Sequence, residues 1–226
     1  DVHAHLGNDR VFDHNFDEQT LLDTMNEFGV DFTILQPAIV HTLEEVREQH
    51  DAIAELASRH PGNFAGMANP NPHLPDDQYE AEVRRCIEQL GFVGIKIHTS
   101  AHGVNPAGRD GMRVFQLARE LKVPVMVHTG AGIPFANPSN LMKAAVYPDV
   151  PIVMAHSGMM IMADETHLAM RRHDNLYADI TWTGGFLLRS WIRELGAHRL
   201  MFGTDQPDNT GTELGKVRTS GLTEEE

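Results

Sequence analysis

His3 and His5 stand two residues apart near the start of the chain. Side chains two apart on a strand share a face, so both imidazoles point the same way. Two neutral imidazoles side by side form a chelate for a divalent metal ion. Further along, three polar residues each follow an apolar run: His128 after 123–127, His156 after 152–155 and Asp205 after 200–204. His128 and His156 are 28 positions apart, and His156 and Asp205 are 49 apart. Those gaps match one strand–helix unit and then two. Five ligand-type side chains therefore fall at equivalent strand ends, and in a barrel the C-terminal strand ends form the functional face. Taken singly, each is an ordinary strand-end residue; as a set they read as a metal centre.

The elements that must position them are also legible. Apolar, β-prone runs recur at 30–35, 63–68, 93–97, 123–128, 151–156, 176–180 and 200–203. Near-continuous apolar strands are what a buried parallel sheet requires. Amphipathic helices lie between them. Leu21, Met25 and Phe28 form one stripe, stopped by Gly29. Thr42 and Glu45 have capping-box spacing. Asp110 is placed to cap a helix whose inner stripe is Val114, Leu117, Ala118 and Leu121, and a later stripe reads Phe186, Leu187, Trp191 and Leu195. Seven alternations plus a stub at the start imply right-handed crossovers. A spacing near 30 residues suits a closed barrel or an open doubly wound sheet, and no GxGxxG or P-loop pattern favours the second. No low-complexity linker divides the chain, so one domain is expected over 1–226. Both ends read as clipped: 1–5 as the end of a strand without its apolar beginning, 222–226 as a helix start without its helix. Such gaps would expose backbone edges, so a poorly closed seam is expected, with association between copies to cover it.

Composition narrows the function. The 226 residues include 41% hydrophobic types, and no run reaches the ~20 apolar residues of a membrane span. No leader is visible, which sets a cytoplasmic expectation. The lone Cys86 has no disulfide partner in the chain and reads as a buried thiol. A formal net charge of −14 argues against nucleic-acid partners. It permits a small anionic substrate, because a bound metal dominates its local field.

Asp-x-His-x-His at the first strand, His128 and His156 at the fifth and sixth, and Asp205 at the eighth resemble the signature of the amidohydrolase superfamily. The stretches 91–98, 126–130 and 202–205 are most similar to its amidohydrolase-related branch, which includes aminocarboxymuconate-semialdehyde decarboxylase and relatives. The resemblance implies an α/β fold, a (β/α)8 TIM-type barrel, here clipped at strand 1 and helix 8. It implies that His3, His5, His128 and Asp205 ligate one divalent ion, Zn²⁺ first, with water in an open position. Such an ion lowers the pKa of bound water towards ~7. Asp205 would take the water's proton, and His156 would orient the nucleophile or stabilise oxyanion charge. Lys96 ends the fourth strand, where some members carry a carboxylated lysine; here a free ammonium that holds a substrate carboxylate, or pairs with an acid, is favoured. His98 and Trp182 are weaker substrate-binding candidates, as are His102, the 69–73 loop, Thr183, Phe135 and Asn137. His14, His41, His50, His60, His167, His173 and His198 are expected to be exposed or capping.

The activity so implied is metal-dependent hydrolysis of an amide, ester or lactone in a small organic substrate. The first alternative is decarboxylation of an aromatic or unsaturated acid by the same site. A phosphodiesterase or deoxyribonuclease is disfavoured by Lys96, where those members place an acid. The alternative from another class is an inactive fragment.

Overall fold

The computed structural model describes residues 1–223. Its strands are β1 (Ala4–Asn8), β2 (Asn15–Phe16), β3 (Thr33–Pro37), β4 (Phe64–Ala68), β5 (Gly94–Ile97), β6 (Val125–His128), β7 (Ile152–Ala155), β8 (Leu176–Asp179) and β9 (Leu200–Met201). β2 forms an antiparallel hairpin with β1. The other strands pair in parallel in the order β1-β3-β4-β5-β6-β7-β8-β9. Between them run α1 (Glu18–Phe28), α2 (Leu43–Arg59), α3 (Asp76–Arg84), α4 (Thr99–His102), α5 (Arg109–Leu121), α6 (Leu141–Ala144), α7 (Ala163–Arg172), α8 (Gly185–Leu195) and α9 (Thr210–Thr219).

The sheet curls until its ends meet. Val2 N–H donates to the Phe202 carbonyl at 2.9 Å, Asp205 N–H donates to the His3 carbonyl at 2.6 Å, and Ala4 bridges Asp205 in parallel. This corrects the expectation of a poorly closed seam: short strands close a barrel once a few backbone bonds cross the gap. The position expected to lack its helix holds α9. Of the 222–226 segment read as a helix start, Leu222 and Thr223 are not helical, and 224–226 lie outside the described residues.

Strand alternation sorts side chains into two layers. Ala4, Leu6, Ile95, Ile97, Val125, Val127, Ile152, Met154, Leu176 and Ala178 pack in the large cluster shared with the helices. Met67, Met126, Val153 and Ala155 form a second cluster, with Val2, Ile34, Tyr177 and Met201 against it. These alternate with the first set and fill the barrel interior. His3, His5, Lys96, His128 and Asp179 share the inward parity.

Locally the helices follow their caps, with exceptions. Thr42 and Glu45 make the capping box that starts α2, and Gly29 closes α1 in a left-handed conformation. α5 begins after Gly108 rather than at Asp110, whose carboxylate instead meets His73 Nδ1 at 2.6 Å. Phe186 is not core; it is 73% exposed, whereas Trp191 is buried. His50 is not exposed. It is fully buried on α2, donating Nδ1–H to Glu82 at 2.7 Å and accepting Asn69 N–H through Nε2. Glu82 is further held by Arg47 and Arg85. Cys86 is a buried free thiol, as expected, in the wide helical turn Arg85–Gln89. Among the described residues, no helix is long and apolar enough to cross a membrane.

Candidate metal centre

His3 and His5 rise from the start of β1 into the barrel mouth. His5 Nε2 lies 3.3 Å and His3 Nε2 3.4 Å from Asp205 Oδ1. The His156 ring centroid is 4.8 Å from that of His3 and 4.9 Å from that of His128. His98 stacks on His128 with centroids 4.3 Å apart. All five residues expected at the rim therefore converge. The ligand atoms of His3, His156 and Asp205 all lie within 4.8 Å of one another. His128 joins through its ring contacts, and its buried Nδ1 has no partner among the described residues.

Backbone geometry aims these groups. His156, Ser157, Trp182 and Asp205 all have positive φ, at 64°, 46°, 56° and 66°. Left-handed backbone is costly for non-glycine residues and persists where the surroundings enforce it. At Asp205 the enforcement is visible. Asp1 accepts hydrogen bonds from His3 N–H, Thr204 N–H and the Thr204 hydroxyl, pinning the turn across the seam. Trp182 Nε1–H donates to Asp205 Oδ2 at 3.0 Å.

The donor set suits a divalent cation. Burial pulls His3 down to about 4 and His156 to about 3, and holds His98 and His128 well below the usual imidazole range. These imidazoles are neutral at pH 7, the form that ligates. Burial pushes the Asp205 carboxyl up, but the surrounding histidines more than offset this and keep it ionised.

Two expectations are corrected. Lys96 is not at the mouth. It is fully buried, and its ammonium donates to His3 Nε2 at 2.9 Å. Burial lowers it to about 8. Its ammonium ends beside His3 Nε2, among the candidate ligands, and does not line the cavity. Trp182 is 42% exposed and reaches Asp205 without lining the cavity. His98 does line it. Phe135 and Asn137 do not, while Asn69, Asn71 and His102 line a separate, smaller cavity.

The cavity over the centre measures about 160 Å³ and opens to solvent. Its floor is His5, His98, His128, His156 and Asp205, and its walls include Phe12, Phe16, Ile39 and Met159. Asp9, also at its edge, is spent on loop geometry, accepting N–H from Val11, Phe12 and Ile39.

Sequence reasoning missed Phe12 and Met159, which sit in irregular segments without periodicity, and Phe16, which lies on the two-residue strand β2. It also missed Asp179, the last residue of β8. Asp179 is fully buried and accepts from His3 Nδ1–H at 2.7 Å, from the Thr181 hydroxyl at 2.7 Å and from His156 N–H at 3.2 Å. Burial pushes its carboxyl up, and the His3 hydrogen bond and nearby imidazoles outweigh that, leaving it at about 2. The signal was present: Asp179 ends an apolar strand just as His128 does.

A family model described as Amidohydrolase matches residues 1–215. Gamma-resorcylate decarboxylase from Rhodococcus jostii (strain RHA1) is 25% identical over 250 residues, covering 82% of this chain and 76% of that protein. The 2-amino-3-carboxymuconate-6-semialdehyde decarboxylase of Dictyostelium discoideum is 26% identical over 129 residues, covering 53% of this chain and 36% of that protein. Among solved structures, a dihydroxybenzoic acid decarboxylase from Polaromonas sp. JS666, with bound manganese and the inhibitor 2-nitroresorcinol, superposes with a TM-score of 0.70. It is 17% identical, and the match covers 99% of this chain and 91% of that one. This likeness shows a common barrel fold.

Proposed function

The chain belongs to the amidohydrolase family, and on that premise we propose that it is a metal-dependent decarboxylase of a small aromatic or unsaturated carboxylic acid. It is an enzyme of that family; the proposal concerns the reaction. The observation that carries it is the cavity, whose aromatic and aliphatic walls stand over a floor of four imidazoles and one carboxylate. A flat apolar body fits such walls, with its acid group turned to the floor. Gamma-resorcylate and 2-amino-3-carboxymuconate-6-semialdehyde, the compounds in the relatives' names, are of this kind. The relatives support loss of CO₂ over the hydrolysis of an amide, ester or lactone first expected from the sequence.

In this reading His3, His5, His128 and Asp205 hold a divalent ion, with His156 close enough to share it. Zinc is the ion expected from the sequence, and the manganese of the Polaromonas structure makes manganese the first to test. When bound, the ion supplies positive charge for the substrate's oxygen atoms. Asp205, ionised at rest, takes the proton of the substrate's acid or phenol. It returns that proton to the carbon that loses CO₂, so the net change is acid to CO₂ plus a C–H bond. Trp182 keeps Asp205 Oδ2 in place during both transfers. Phe12, Phe16, Ile39 and Met159 give the cavity apolar walls, beside which conversion of a charged carboxylate into neutral CO₂ is favoured. We read the chain as one catalytic domain.

The experiment is a screen of hydroxybenzoic and unsaturated dicarboxylic acids beside esters, lactones and amides, with Mn²⁺ or Zn²⁺ present and CO₂ recorded. CO₂ release from at least one acid, with the neutral substrates untouched, is expected. Turnover of the neutral substrates alone would restore the hydrolase reading.

A further inference from the structure

Asp179 does more than occupy a strand end. A carboxylate receiving several hydrogen bonds is an acceptor only, so each partner must donate. His3 meets it through Nδ1, so His3 carries its proton on Nδ1. Lys96 agrees independently: an ammonium donates only, and it faces His3 Nε2. The Thr181 hydroxyl has one hydrogen, and that hydrogen points at Asp179 Oδ2. Its oxygen is then left to accept. His156 Nδ1 lies 2.8 Å away and must therefore donate. His156 N–H also reaches Asp179 Oδ2, tying the backbone of that residue to the same carboxylate.

We infer that Asp179, directly and through the Thr181 hydroxyl, sets the tautomer of two site histidines at once, so that His3 and His156 both keep their lone pair on Nε2, where that of His3 meets the Lys96 ammonium. Asp179 and Thr181 are positioning residues. An imidazole in the wrong tautomer turns an N–H at a cation and cannot ligate it. One carboxylate can serve both rings because Asp179 ends β8 between the strand that carries His156 and the seam that carries His3. Gly203 leaves the room. A Cβ there would stand 2.5 Å from Asp179 Oδ1 and 2.8 Å from His3 Cβ.

The inference rests on the reading of these residues as a metal site, and its test separates the two. The full chain, ¹⁵N-labelled at histidine and metal-free, is compared with Thr181→Val and Asp179→Asn. Long-range ¹H–¹⁵N spectra report the tautomer of each ring, and Mn²⁺ titration reports affinity. Wild type should show His3 and His156 protonated at Nδ1. Thr181→Val removes the relay while keeping the shape, so His156 should lose its fixed tautomer while His3 keeps it. Mn²⁺ affinity should fall about 10- to 100-fold, the range for lost outer-shell partners. In Asp179→Asn the amide can donate to the Thr181 oxygen, which turns that hydroxyl onto His156 Nδ1 and moves the ring proton to Nε2. If Asp179→Asn does not fold, Thr181→Val decides alone. Protonation of His156 at Nε2 in wild type overturns the inference. So does a Thr181→Val protein with unchanged His156 spectrum and Mn²⁺ affinity. Failure of wild type to bind Mn²⁺ or Zn²⁺ would instead sink the metal-site reading and leave the tautomer result standing.

Discussion

Asp205 meets both histidines of the first strand through one oxygen and the Trp182 indole through the other. An amide at this position keeps the size but cannot carry the proton. Asp205→Asn should melt within a few degrees of wild type yet turn over about 10²- to 10⁴-fold more slowly under saturating metal. Near-normal turnover would remove Asp205 from the proton path. The two remaining histidines can be ranked. The sequence resemblance implies His128 as a ligand, whereas ligand-atom spacing groups His156 with His3 and Asp205. His128→Ala and His156→Ala, each titrated with Mn²⁺, should both weaken binding, with the larger loss marking the ligand. Loss in neither would place both outside the ion's reach. His3, His5, His128, His156 and Asp205 were legible because strand ends and βα spacing are periodic. Lys96 was legible as a strand residue but misplaced, because the strand read alone does not say how deep in the barrel a side chain sits. Asp179 went unread because its importance lies in partners 176 and 23 positions away.

The seven complete strands of the element pattern and the α2 capping box were readable from apolar runs and local hydrogen-bond chemistry. Seam closure was not. It rests on backbone bonds between residues about 200 positions apart, for which no local pattern exists. The irregular turns over the site were equally hidden, since Asp205 and Trp182 adopt left-handed backbone against their residue types. His50 reads as an ordinary position on α2, and only the packing of α2 against α3 and the β4 end buries it with Glu82 and Asn69. Gly203 now has a physical reason within the last-strand motif. Gly203→Ala should destabilise the fold by about 1–3 kcal/mol, the usual range for overpacking. It should also weaken Mn²⁺ binding, because Asp179 and His3 must shift. An alanine variant with wild-type melting and affinity would show that the turn has slack.

At the scale of the whole molecule, the barrel encloses a cluster of imidazoles that it keeps neutral. His3 and His156 titrate near 4 and 3 when folded, against 6.5 when unfolded. The stability these groups contribute is complete above pH 6.5. Below it, the unfolded chain binds protons that the folded one refuses, so stability falls until the pH reaches the folded values. Each such group removes about 1.4 kcal/mol per pH unit inside that window. Asp179, held at about 2, acts in the same direction below its ordinary 3.8. The metal-free protein should therefore melt at steadily lower temperatures from pH 6.5 towards 4. A flat profile across that range would mean the imidazoles are not buried as neutral groups. Bound metal should raise the melting temperature by mass action and shift the acid limb downward. The reaction is tested most directly by running it in D₂O with an aromatic acid ¹³C-labelled at the carboxyl carbon. With Mn²⁺ present, one labelled CO₂ should leave per turnover and one deuterium should appear on the carbon that carried it, and a chelator should stop both. A product that retains the labelled carboxyl carbon, or ¹³CO₂ release that persists with all metal removed, would contradict a metal-dependent decarboxylase.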